Sequence, residues 1–84
     1  TDEEIVEAYR MVAALEGIFC EPASAASVAG VVKMQKAGLF KDGESAVCTL
    51  TGHGLKDVDI AISVSQKPTT TRANMEDVVR VLGY

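Results

Sequence analysis

Apolar positions recur at helical spacing at the start of the chain, crowd into short runs in the middle, and return to helical spacing near its end. Ile5, Tyr9, Val12 and Ala13 repeat three and four apart through Glu16, which predicts an amphipathic helix. Thr1 and Glu4 have the spacing of a capping box at its start, and Gly17 is a natural stop. Ile18-Phe19-Cys20 is a short apolar run and predicts a strand. Pro22 suits the first turn of a helix, so ASAASVAGVVKMQKAG predicts a second helix ending at Gly38. Its Ala, Ser and Gly content allows close approach to a sheet or a neighbouring helix. Lys41-Asp42-Gly43-Glu44 predicts a turn.

Ala46–Leu50 is apolar except for Thr49, the pattern of a strand covered on both faces, as in parallel sheets. Ile60, Ile62 and Val64 alternate with small or polar residues and predict a further strand. Gln66–Arg72 reads as a loop. Asn74 is placed to cap a last helix with Met75, Val78, Val79 and Leu82 inward and Gly83 past its end. The order helix, strand, helix, strand, loop, helix is α/β grammar. Two or three strands make a poor self-contained α/β domain, so the chain reads as part of a larger sheet. There is no internal repeat and no linker.

Composition narrows the picture. With 84 residues the chain is one domain at most, and 48% hydrophobic with 24% charged residues is globular. The absence of Trp, with two Phe and two Tyr, calls for an aliphatic core. A net charge of −4 argues against nucleic acid, whose phosphates need a basic face. No stretch approaches the roughly 20 apolar residues of a membrane span. The acidic, helical start is neither a signal nor a transit peptide. Cys20 and Cys48 lie singly in apolar runs and read as reduced core residues of a cytoplasmic protein.

Candidate chemistry is sparse. The stretch CTLTGHGLKD carries the one histidine, His53, between two glycines. A metal site on His53, Cys48, Asp57 and Asp59 lacks any recognised ligand spacing. A Cys-His nucleophile pair lacks an electropositive setting for either thiol. TGHGLK lacks the GxxxxGK[ST] spacing of a phosphate loop. The segment Glu21–Ser27 is more informative, because it follows a predicted strand and opens a helix. Thr51 and His53 end the next strand in the same way. Ligands of open α/β sheets bind outside the carboxyl ends of strands, so two polar strand ends could converge on one ligand. Ordinary caps and turns account for the same residues.

GIFCEPASAASVAGVVK followed by AVCTLTGHGLKD resembles the threonine synthases, pyridoxal-phosphate enzymes of the tryptophan-synthase-β-like fold. The resemblance covers essentially all of residues 1–84. EPASAAS is shared loosely with related dehydratases, whereas TLTGHGLKD points to threonine synthases. Val58 departs from the family, where a proline is expected after the aspartate. The resemblance implies a C-terminal part of the large domain of a three-layer α/β/α, fold-type-II enzyme. It implies conversion of O-phospho-L-homoserine and water to L-threonine and phosphate, with pyridoxal 5'-phosphate as cofactor. Thr51 matches the hydroxyl that meets the cofactor's pyridine nitrogen. Glu21, Pro22, Ala23 and Ser24 are expected to flank the ring, and Gly52 to let it approach. The family's Schiff-base lysine and phosphate cup belong to more N-terminal segments. Lys33, Lys36, Lys41, Lys56 and Lys67 do not match that lysine's motif, so the segment alone is expected to be inactive. The implied partners are O-phosphohomoserine and the remainder of the same enzyme, with a homo-oligomer open. The implied compartment is the cytoplasm, or the plastid stroma in a plant. The rival readings are a small α/β binding module derived from such an enzyme and a fold-related serine/threonine dehydratase.

Overall fold

The computed structural model describes all 84 residues, in four α-helices and two short 3-10 turns. Helix α1 spans Asp2–Glu16. Thr1 Oγ1 accepts from the Glu4 amide while Glu4 reaches back to the Thr1 nitrogen at 2.7 Å, the reciprocal cap the spacing predicts. Gly17 ends the helix with φ +67°, a conformation that costs an L-residue a clash at Cβ. Pro22–Ala25 forms a 3-10 turn that leads into α2, Ala26–Lys36. The Ser24 hydroxyl donates to the Glu21 carbonyl at 2.7 Å and secures this entry. The turn at Lys41–Glu44 closes through the Glu44 amide to the Lys41 carbonyl, 3.2 Å.

The core lies where α1, the Pro22–Ala25 turn and α2 meet. Ala8, Tyr9, Val12, Cys20 and Ala25 are its buried apolar residues, and Ile5, Val28, Ala29, Leu50 and Val64 pack around it. Ala25 has no exposed surface at all, because it has no side chain beyond Cβ to hold the two elements apart. The small residues of α2 are used unevenly: a Cβ on Gly30 would meet nothing within 4 Å. Ala13 is exposed rather than on the buried face. Of the two cysteines, which are unbonded, Cys20 is buried and Cys48 only half-buried.

The predicted strands do not form. Ile18–Cys20 and Ala46–Leu50 carry no regular secondary structure. A strand exists only where a neighbour takes its N–H and C=O groups. Here one backbone hydrogen bond joins residues far apart in sequence, from the Gly54 amide to the Phe19 carbonyl at 3.0 Å. The third predicted strand is a helix: α3 runs Val58–Val64. Asp57 decides it, since its carboxylate accepts from the Ile60 amide at 3.2 Å as an N-cap does. The alternation of Ile60, Ile62 and Val64 gave the wrong period because Val58, Ala61 and Ser65 also fit a helical turn.

Gln66–Arg72 is irregular, and α4, Met75–Leu82, begins at Asn74 and ends at Gly83 with φ +79°. Val78 and Val79 are half-buried, but Met75 and Leu82 are exposed, so the face expected inward is only partly covered. The radius of gyration is 17.1 Å and the extents are 53 × 28 × 18 Å. A compact domain of this length has a radius of about 12 Å. The chain is elongated. No helix is long and apolar enough to cross a membrane.

Candidate functional site

Two segments meet at one end of the core: Phe19–Ser24 and Thr51–Asp57. Their contacts explain the glycine-histidine-glycine sequence. The position a Cβ would take on Gly52 overlaps the Glu21 carboxylate, and lies 2.8 Å from Glu21 Cβ. The position a Cβ would take on Gly54 overlaps the Phe19 ring. Phe19 and Glu21 are two apart on one run, and Gly54 and Gly52 two apart on the other. Side chains two apart share a face on extended backbone, and Glu21 and His53 are extended. Stepping forward along one run steps back along the other, so the two pass each other in opposite directions. Gly52 also adopts φ +65°, which turns the chain directly after Thr51.

His53 stands between the glycines. Its Nδ1 accepts from the Leu55 amide at 3.2 Å and caps the 3-10 turn Gly54–Asp57. Its ring meets the Phe19 ring edge-on, with centroids 5.3 Å apart at 79°. Phe19 in turn lies 6.3 Å from the Tyr9 ring on α1. Burial beneath this aromatic group pushes the Tyr9 phenol up from its ordinary pKa, with Cys20 and Asp57 adding to the effect. Lys56 Nζ lies 3.6 Å from the Glu21 carboxylate, a partly exposed pair that adds a further link between the two segments.

Among the residues expected to border a ligand, Pro22 is buried, Glu21 and Ser24 are half-buried, and Ala23, Thr51 and Gly52 are exposed. Glu21 and Gly52 are brought into contact. The Ser24 hydroxyl is committed to the Glu21 carbonyl, whereas the Thr51 hydroxyl has no partner within the chain. No group of three or more His, Cys, Asp or Glu side chains converges anywhere. Phe19, Gly54 and Lys56 were missed as site residues by reading the sequence. The signal for Phe19 and Gly54 is paired spacing: two glycines two apart, and two large side chains two apart on the preceding run.

The site thus presents an exposed, unpartnered Thr51 hydroxyl beside Gly52, with the Glu21 carboxylate filling the space a Cβ would take. Residues 1–52 match the family model of pyridoxal-phosphate dependent enzymes, and the chain belongs to that family. It is similar to the threonine synthase of Methanocaldococcus jannaschii, 50% identical over 82 residues covering 98% of this chain and 20% of the relative. Against the threonine synthase of Synechocystis sp. it is 49% identical over 86 residues, 100% of this chain and 22% of the relative. Against that of a Bacillus species it is 53% identical over 74 residues, 88% of this chain and 21% of the relative. The chain thus spans about a fifth of the length of these relatives. The resemblance read from EPASAAS and TLTGHGLKD stands, and so does pyridoxal phosphate as the family's cofactor.

Proposed function

We propose that the chain is the C-terminal segment of a threonine synthase, part of a large domain with three-layer α/β/α architecture. The complete enzyme would convert O-phospho-L-homoserine and water to L-threonine and phosphate, a carbon-oxygen lyase reaction of threonine biosynthesis. The observation that carries this is the similarity to threonine synthases, which runs through Thr51–Asp57 beyond the end of the family match at residue 52. Pyridoxal phosphate, when bound, supplies an electron sink for carbanionic states of an amino acid. The Thr51 hydroxyl would satisfy the pyridine nitrogen. A neutral hydroxyl does not force that nitrogen to be protonated as a carboxylate would. Glu21, Pro22, Ala23 and Ser24 would border the same edge, and Gly52 lets the Glu21 side chain lie against the peptide beside Thr51.

None of the five lysines matches the lysine that carries the cofactor, so in this reading the segment is inactive by itself. The remainder of the enzyme supplies that lysine, the phosphate cup and the sheet neighbours of Ile18–Cys20 and Ala46–Leu50. A cytoplasmic or plastid compartment and a homo-oligomeric assembly belong to the same reading. An independent binding module fits less well with a chain this elongated and a core this small. A dehydratase fits less well with TGHGLKD.

Thr51→Val in the full-length enzyme tests the assignment. Valine keeps the shape and the β-branch and removes only the hydroxyl. An unpaired polar group costs about 1–3 kcal/mol. Cofactor affinity and turnover are expected to fall on the order of ten- to a hundredfold, with the melting temperature of the cofactor-free protein unchanged. Wild-type affinity and turnover would overturn the role given to Thr51.

A further inference from the structure

We propose that Phe19 is a positioning residue for Thr51, acting through Gly54. The inference rests on the reading of Thr51 as the cofactor-facing hydroxyl. Gly54 is buried although its neighbours His53 and Leu55 are exposed, and what buries it is the Phe19 ring. The same residue's carbonyl accepts the Gly54 amide at 3.0 Å, so ring and backbone of Phe19 both grip one glycine. The Phe19 ring is itself wedged between Tyr9 on α1 and the edge of His53. Tyr9 on α1 thereby orients the partly exposed Phe19, Phe19 holds Gly54, and Gly54 sets the direction in which the chain leaves Thr51. Within this chain Ala46–Leu50 has no ladder, and the contacts of Phe19 and Glu21 are the ones that reach the segment leaving Thr51. The neighbouring contact of Glu21 with Gly52 cannot serve as a clean test, since φ +65° strains any residue put there. Gly54 has no such constraint. The first atoms a methyl group at Gly54 meets are those of the Phe19 ring, which it would have to displace.

Small displacements of a contacting group cost up to on the order of a hundredfold in a preorganised site. In the full-length enzyme, Gly54→Ala is therefore expected to weaken cofactor affinity about tenfold in an equilibrium titration and to alter the visible circular dichroism of the bound cofactor. Phe19→Ala combined with Gly54→Ala makes room for the methyl and is expected to recover part of the affinity. In a Thr51→Val background, Gly54→Ala is expected to add little, because the group it would misplace is already gone. Should Gly54→Ala fail to fold, Phe19→Leu alone carries the test, with an expected loss of about threefold that also disappears in the Thr51→Val background. A silent Thr51→Val overturns both the reading of Thr51 and the role of Phe19. An effective Thr51→Val with a silent Gly54→Ala, an undiminished effect in the Thr51→Val background, or no recovery in the double variant overturns the role of Phe19 alone.

Discussion

In the N-terminal half, α1 and α2 cross over the Pro22–Ala25 turn, and all five buried apolar core residues fall at or before Ala25. In the C-terminal half, equally apolar residues stay in the open: Val47 is 94% exposed, Met75 76% and Leu82 64%. The difference is not in hydrophobicity. Both halves carry helices with proper caps, Thr1 and Glu4 on one and Asn74 on the other. What differs is whether the apolar face finds a partner within the chain. Local signals build an element, and burial needs a second surface.

The largest test of that comparison is a pair of truncations. Tyr9 is 4% exposed and touches Phe19, so Tyr9→Ala is expected to cost about 3–5 kcal/mol, as large-to-small changes of buried aromatics do. Leu82→Ala removes a side chain that is already in water and is expected to change stability by less than about 0.5 kcal/mol. Urea unfolding followed by far-ultraviolet circular dichroism measures both. Equal effects would mean that α4 is covered as well as α1 is.

The caps offer the next test. Asn74 Oδ1 accepts from the Asp77 amide at 2.9 Å, and its Nδ2 donates to the Asp77 carboxylate at 2.8 Å. With little packing to support α4, the cap carries a large share of its stability. Asn74→Ala is expected to cost α4 about 1 kcal/mol and to speed hydrogen exchange through Met75–Leu82, leaving α1 unchanged. Uniform exchange in both helices would erase the distinction between the halves.

The same contrast governs what could be read in the sequence. Caps, glycine stops and the Lys41–Glu44 turn were legible, because each is decided by residues within one turn of one another. The packing of Tyr9 and Val12 was legible from spacing, since the partner helix follows directly. The sheet was not, because Ile18–Cys20 and Ala46–Leu50 have strand composition but no neighbour to pair with. Ile60, Ile62 and Val64 misled because alternation outweighed the Asp57 cap that precedes them. At the site, Glu21 and Thr51 stood out as polar ends of predicted strands, while the roles given to them and to Gly52 toward a cofactor came from resemblance. The seating of Phe19 on Gly54 joins residues 35 positions apart, which no local pattern encodes.

A smaller effect is expected at Val58, which begins α3 with φ −65° and ψ −35°. Those are the angles a proline ring enforces, at the helix position that best tolerates a missing N–H. Asp57 before it has φ −133° and ψ 77°, outside the α region that a following proline disfavours. Val58→Pro is expected to stabilise by about 0.4–1 kcal/mol through the unfolded chain. A lower melting temperature would mean that the side chain of Val58 packs more than its 46% exposure implies.

The smallest effect concerns the one ion pair that ties α1 to α2. Lys33 Nζ lies 3.1 Å from Glu4 Oε1, while the C-terminal half pairs Arg72 and Arg80 with Asp77 around the start of α4. Hydrogen bonds from the nitrogen of Thr1 and then from Lys33 hold the Glu4 carboxyl below its ordinary value. A depressed carboxylate favours the folded state above its unfolded pKa, about 4.3 for Glu, and that contribution is lost as pH falls toward 2. Lys33 is exposed and Glu4 only half-buried, so solvent screens the pair and the loss is modest. The melting temperature is expected to decline between pH 4.5 and 2, and Lys33→Met is expected to flatten part of that decline. Raising salt should flatten it too, since the pair lies in water. A decline that neither Lys33→Met nor salt alters would assign it to other carboxylates and leave the two helices joined by apolar packing alone.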